Sequence, residues 1–248
     1  MFRFLARWCK ERLTLPPDIG AFVAKHLPQT VIFDLDGTLV DTSPDLTAAL
    51  NSVLVAAGRR PLPEIEVRHL VGRGARVLIE RGMAATGEAV DEALVPKLFE
   101  DFLDHYSANI AAGSQPFPGA ENAVRRLVAA NHPLGICTNK PEALSFKLMD
   151  ALNLRRFFPV ILGADSQPYR KPDPRHLLDT IAKLGGDRAN AVLIGDSETD
   201  VKTARAAAVP IVLVSFGYTE IPVHQLGADA VIDHFDALDR AISALRLA

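Results

Sequence analysis

The sequence predicts an α/β fold: a doubly wound parallel sheet, Rossmann-like in its winding, interrupted by an all-helical insertion. Three observations carry this. An apolar run ends in two aspartates at Asp34 and Asp36, the stretch 43–115 shows only helical spacing, and from Phe117 onward short apolar runs alternate with amphipathic segments. Alternation of that kind places parallel strands under helices on both faces.

In chain order, residues 1–28 read as an arm. Arg3, Arg7 and Lys10 precede its first acid, Glu11, with Phe2, Phe4, Leu5 and Trp8 between them. That pattern suits a membrane-surface helix or part of a targeting sequence as well as a packed extension. The long apolar core and small-residue cleavage site of a secretory signal are missing, and a packed or frayed extension is preferred because so short an amphipathic signal is weak. Pro16, Pro17 and Pro28 separate the arm from the first strand.

Val31, Ile32 and Phe33 form a β-branched and aromatic run that stops at an Asp-Gly turn signal, as a buried strand does. Ser43-Pro44 then reads as a helix start, a capping residue followed by a first-turn proline. Helical spacing covers 45–57, 74–83 and 90–110, broken by Gly58, Pro61, Pro63, Gly82 and Gly87, with no convincing strand among them. A helical domain at 43–115, inserted into a core of 29–42 and 116–248, is the simplest account. Within the second part of the core, helices are expected at 120–130, 142–152, 174–184, 198–208 and 237–246. Strands are expected at 133–137, 160–163, 191–195, 211–215 and 230–233.

Composition narrows the function classes. The 248 residues are 48% apolar and 23% charged, ordinary for a globular chain. A formal net charge of -3 provides no basic footprint, so nucleic acid is not an expected partner. No apolar stretch reaches membrane-spanning length. Cys9 and Cys137 are too few for a disulfide framework, which fits a reducing cytoplasm. The seven histidines show no metal-binding spacing, and His69, His105, His132 and His176 read as surface or satisfied interior residues.

Three predicted strands end in groups able to meet at one site: Asp34, Thr138 and Asp196. Ligand sites in open α/β sheets lie just beyond the strands' carboxyl ends. Residues two apart on an extended segment face the same side, so Asp34 and Asp36 can share a pocket. Carboxylates held that close need a cation or a shared proton, and a hard divalent ion with oxygen ligands, magnesium above all, is the natural remedy. Asp-Gly is also a common solvated turn.

After the strand LGIC, Thr138 and Asn139 can offer a hydroxyl and a free backbone N–H to a phosphate oxygen, or can cap the helix that follows. Lys171, in YRKPDP, can neutralise both a carboxylate and an incoming phosphate. Its neighbour Arg170 reads as a solvated residue. Asp196 can complete an oxygen cage with Asp34 and the backbone carbonyl of Asp36. Asp200, four positions on, falls in a first helical turn, where it can tune the site, orient Lys171 or cap the helix.

These four segments, DLDGTLVDT, CTNKP with Thr138, RKPDP with Lys171 and GDSETD, resemble in order the four motifs of the haloacid dehalogenase superfamily of phosphohydrolases. The resemblance runs from Val31 to the C-terminus and makes 43–115 the family's cap. It implies a magnesium-dependent aspartyl-phosphate mechanism, with Asp34 as nucleophile and Asp36 as acid and base. Asp34, Asp36 through its carbonyl, and Asp196 would hold the metal. Thr138, Asn139 and Lys171 would hold the phosphate, supported by Asp200.

Members that act as dehalogenases lack an acid at the position of Asp36, so its presence argues for phosphatase chemistry. The wording VGRGARVLIERG, CTNKP, RKPDP and SFGYTE is most similar to the bacterial phosphoglycolate phosphatases, which makes a small phosphorylated metabolite the expected partner. In the loop VGRGAR, Arg73 or Arg76 can pair with a substrate carboxylate. Members of that group usually carry Asn where this chain has Arg73, a departure that leaves substrate choice open.

Rival readings remain or fail on particular residues. A cysteine phosphatase needs an arginine six positions after its nucleophile, where Cys137 is followed by Ala143. No GxxxxGK[ST] segment occurs, which removes a P-loop nucleotide hydrolase. A sugar-phosphate phosphatase, or a phosphomutase using the same aspartates, stays open. So does a catalytically silent phospho-ligand sensor.

Overall fold

The computed structural model describes residues 29–245, and the predicted arm lies outside them. Six parallel strands form the sheet: β1 (Thr30–Phe33), β4 (Leu134–Cys137), β5 (Val160–Leu162), β6 (Ala191–Gly195), β7 (Ile211–Val214) and β8 (Ala230–Ile232). Their spatial order is β5-β4-β1-β6-β7-β8. β1 is central, pairing Val31 with Leu134 on one side and with Val192 on the other. The order reverses at β1, which opens the crevice where ligands bind in this architecture.

Alternate residues of the strands feed two cores, as the pleat requires. Val31, Phe33, Ile136, Ile194 and Val212 pack beneath helices α5 (Ala120–Ala129), α6 (Glu142–Ala151) and α9 (Leu238–Leu245). Ile32, Leu193, Ile211 and Leu213 pack against α7 (Pro174–Lys183) and α8 (Glu198–Ala207). The doubly wound sheet is therefore as expected from the sequence.

Between β1 and β4 lies the helical insertion, with α1 (Ser43–Ala56), α2 (Glu64–Arg68), α3 (Ala75–Thr86) and α4 (Val95–Ala108). α1 is its centre, contacting the other three. Gly82 of α3 lets that helix approach α1 closely, since a Cβ there would stand 2.8 Å from Leu50 Cδ1. Two short strands, β2 (Val40–Asp41) and β3 (Gln115–Pro116), pair antiparallel at the neck of the insertion. Neither strand, nor α2, was expected from the sequence.

Two details differ from the expected pattern. The helix expected at 90–110 begins at Val95, because Asp91 caps a preceding turn through Ala93 N–H at 3.0 Å. His176 is fully buried, and neither of its ring nitrogens has a hydrogen-bond partner, so it is not the satisfied or surface residue expected. Among the described residues no helix is long and apolar enough to cross a membrane.

Candidate active site

β1 delivers Asp34 one residue past its last strand position, with Asp34 N–H still bonded to Ile194 O at 2.9 Å. The chain then turns through Gly37, at φ +81°, a conformation glycine adopts freely. A Cβ on Gly37 would lie 2.6 Å from Asp196 Oδ2, so the turn also needs the missing side chain to let β6's carboxylate approach.

Asp34, Asp196 and Asp200 are all buried and each offers an oxygen within 4.8 Å of the others. Lys171 Nζ lies 2.8 Å from Asp34 Oδ2 and 2.7 Å from Asp200 Oδ1. Asp200 Oδ2 accepts from Ser197 Oγ at 2.6 Å and from Ser197 N at 3.1 Å, in a capping box that opens α8. The sequence thus left Asp200 with several possible tasks, and it performs two, holding Lys171 and capping its helix. Among the described residues, Asp196 is met only by neutral donors: Thr38 Oγ1 and Tyr218 N, both at 2.7 Å.

Charge is unbalanced here. Burial raises the Asp34 carboxyl more than Lys171 lowers it, and Asp200 adds to the rise. Burial, then the negative Asp200 and Asp34, likewise push Asp196 well above the carboxylate range. Burial works against the Lys171 ammonium, yet Asp200 and Asp34 outweigh it and hold Lys171 above its usual value. Three buried carboxylates facing one ammonium suit a hard divalent cation with oxygen ligands. Asp36 directs its carboxylate elsewhere.

That carboxylate meets Lys140 Nζ at 2.9 and 3.3 Å, and Lys140 also donates to Tyr106 Oη of α4 at 2.7 Å. Burial pulls Lys140 down, but Asp36 and Tyr106 outweigh it and its pKa ends above the ordinary value. Burial pushes the Tyr106 phenol up to about 12, so it stays protonated. Sequence reasoning assigned no task to Lys140, although it stands in TNK, or to Tyr106, whose spacing from Phe99, Phe102 and Leu103 reads as an ordinary core stripe.

Thr138 and Asn139 are buried at the end of β4. The Thr138 N–H is already bonded to Leu162 O at 3.0 Å, so the backbone donor open at this turn is that of Asn139. Asn139 Nδ2 spans to Lys171 O at 3.1 Å and to Gly72 O of the insertion at 3.4 Å. Cys137 is fully buried with its thiol pushed up to about 12, which suits a strand residue and no nucleophile.

One pocket between the insertion and the sheet is lined by Asp34, Asp36, Thr138, Asn139, Lys140 and Tyr106, with apolar walls from Leu46, Leu78, Phe102 and Leu144. Arg73 is not brought into it; it is exposed and borders two outer clefts instead. Arg76 is exposed and paired with Glu80 at 2.9 Å.

An open parallel sheet with an aspartate at the end of its central strand, a second just beyond the neighbouring strand and a lysine between them is the arrangement expected of a phosphoryl-transfer hydrolase. Comparison with known proteins agrees. Residues 31–214 match the family model for haloacid dehalogenase-like hydrolases, and the chain belongs to that family. It is 51% identical over 216 residues to a phosphoglycolate phosphatase of Caulobacter vibrioides, covering 87% of this chain and 91% of that one. A phosphoglycolate phosphatase of Mesorhizobium japonicum is 49% identical over 208 residues, 84% of this chain and 92% of the relative. Among solved structures, one from Haemophilus somnus described as a predicted phosphoglycolate phosphatase superposes with a TM-score of 0.81 at 28% identity, covering 86% of this chain and 97% of its own.

Proposed function

We propose that the chain is a magnesium-dependent phosphomonoesterase that converts 2-phosphoglycolate to glycolate and phosphate in the cytoplasm. The observation that carries the chemistry is the buried cluster of Asp34, Asp196 and Asp200 around Lys171. The substrate assignment is supported by the names of the two relatives at about half identity.

Asp34 attacks phosphorus through a carboxylate that Leu35 N–H holds at Oδ1, 2.7 Å away, and Lys171 Nζ holds at Oδ2, 2.8 Å away. The bond between phosphorus and the glycolate oxygen breaks, and Asp36 gives that oxygen its proton. Asp36, then a carboxylate, takes a proton from the water that attacks the phospho-aspartate, and phosphate leaves. Lys171, the Thr138 hydroxyl and the Asn139 N–H hold the equatorial oxygens as charge builds on them. Asp34, Asp196 and the backbone carbonyl of Asp36 would hold magnesium, which would supply fixed positive charge at the same place when bound. Residues 43–115 act as the cap over a core of 29–42 and 116–248, and Asn139 Nδ2 to Gly72 O is one of their contacts.

A substrate panel with magnesium tests this. Phosphate release from 2-phosphoglycolate is expected to exceed that from sugar phosphates, including phosphorylated amino sugars, and Asp34→Asn is expected to lose turnover by at least about 10⁴-fold, as removal of a covalent nucleophile does. An isomerised sugar phosphate in place of free phosphate makes the chain a mutase. Inactivity of the parent across the whole panel makes it a sensor.

A further inference from the structure

Two donors at the pocket wall next to Asp36 are left over. An ammonium has three N–H groups. One shared between the Asp36 oxygens and one on Tyr106 Oη leave a third on Lys140. Tyr106 Oη accepts from Lys140, and among the described residues no acceptor meets its own proton. Both side chains are almost wholly buried, and both line the pocket that holds Asp34. Unmet donors are costly inside an apolar enclosure, so this corner is built for an acceptor from outside the chain.

The position of the corner restricts that acceptor. Asp36, as acid, must touch the ester oxygen of the leaving group, and Lys140 is one hydrogen bond beyond Asp36. A group just past the ester oxygen's own carbon therefore arrives at Lys140 and Tyr106. We propose that Lys140 and Tyr106 form the subsite that reads the leaving group's carboxylate, selecting small phosphoesters with a carboxylate one methylene from the ester oxygen. This deepens the phosphomonoesterase reading and rests on it. The apolar side chains of the facing wall, Leu46, Leu78, Phe102 and Leu144, offer no partners for the several hydroxyls of a sugar. The cap arginines have no part in the subsite, since Arg73 is outside the pocket and Arg76 is paired with Glu80. Lys140 comes from the sheet side and Tyr106 from α4, so a bound carboxylate ties the insertion to the core.

The test compares 2-phosphoglycolate with its uncharged carboxamide in the parent, Tyr106→Phe and Lys140→Met, with magnesium, reading kcat and KM separately. Charge-assisted hydrogen bonds of this kind predict that the parent prefers the carboxylate by about 100-fold in kcat/KM. Tyr106→Phe is expected to lower that preference about tenfold, through KM, and Lys140→Met to bring it close to unity. Tyr106→Phe keeps the buried ring, so it reports on the subsite even if Lys140→Met, which strips Asp36 of its partner, folds poorly. An unchanged preference in Tyr106→Phe overturns the subsite while leaving the hydrolase standing, as does a parent that treats acid and amide alike. A parent that hydrolyses other phosphomonoesters but not 2-phosphoglycolate removes the substrate reading, and the subsite with it.

Discussion

His176 sits in the first turn of α7 with no surface exposed. Burial lowers its pKa to about 4, Lys171's charge pushes the same way, and the nearby Leu162 and Gly163 carbonyls, too poorly placed to bond it, offset this only in part. A base with a lower pKa in the folded chain takes its proton first in the unfolded one. Its contribution is complete above the ordinary imidazole value of about 6.5 and is lost as pH falls toward 4. Between pH 7 and pH 5 the parent should lose about 2 kcal/mol that His176→Leu does not lose, by urea unfolding of both. Parallel pH profiles for the two proteins would contradict it. Most of the residues legible in sequence were those at strand ends, Asp34, Thr138, Asp196 and, four positions further, Asp200, because an apolar run followed by a polar group announces its own location. Lys171, in a loop, was legible mainly through the order of the motifs around it. Lys140 and Tyr106 were not legible: their tie is tertiary, across 34 positions between insertion and sheet, and each letter alone has a commonplace explanation.

At the neck of the insertion, the N-terminus of α1 is covered by a side chain from the other end of the sequence. Tyr218 Oη accepts from Thr42 N at 2.7 Å and Ser43 N at 2.9 Å, and donates to Asp41 Oδ1. Arg68 of α2 lies 4.9 Å from the centre of the Tyr218 ring and 3.3 Å from Asp41. The Tyr218 N–H is bound to Asp196, so one residue links a carboxylate of the site to the start of the insertion. Tyr218→Phe leaves the buried Thr42 N–H without an acceptor and Ser43 N–H with only its 3.2 Å bond to Asp41 Oδ1, which should cost about 1–2 kcal/mol in urea unfolding and raise KM for the phosphoester. Stability within about 0.5 kcal/mol of the parent would mean that water replaces the hydroxyl without loss. The elements here show the limit of pattern reading. The six strands of the main sheet and the eight longer helices were each visible from period and punctuation, whereas α2 buries only Val67 and β2 and β3 have two residues each, too short to show any period.

Across the whole molecule, the buried carboxylates make stability depend on both pH and metal. Asp34 and Asp196 have carboxyls raised above their unfolded values, so the folded chain binds more protons than the unfolded one. Their contribution is full below the ordinary carboxylate range near pH 4 and is lost as pH rises through the raised values. The metal-free protein therefore carries a growing electrostatic penalty at the carboxyl ends of β1 and β6 as it approaches neutrality. On the proposed reading, magnesium would bind the ionised carboxylates of the folded state and compete with those protons. Saturation at 100 times its dissociation constant should add about 2.7 kcal/mol, or roughly 5–10 °C in Tm for a chain of this size. At one fixed magnesium concentration the shift should grow from pH 5 to pH 8, because fewer protons remain to be displaced. Paired melts with magnesium and with chelator at each pH isolate this effect, since His176 titrates alike in both and cancels in the difference. In Asp196→Asn, which keeps the shape and removes one charge, the chelated protein should be more stable near neutrality than the chelated parent, and the magnesium shift should shrink. A shift that is flat with pH, or that survives intact in Asp196→Asn, would place the ion somewhere other than between Asp34 and Asp196.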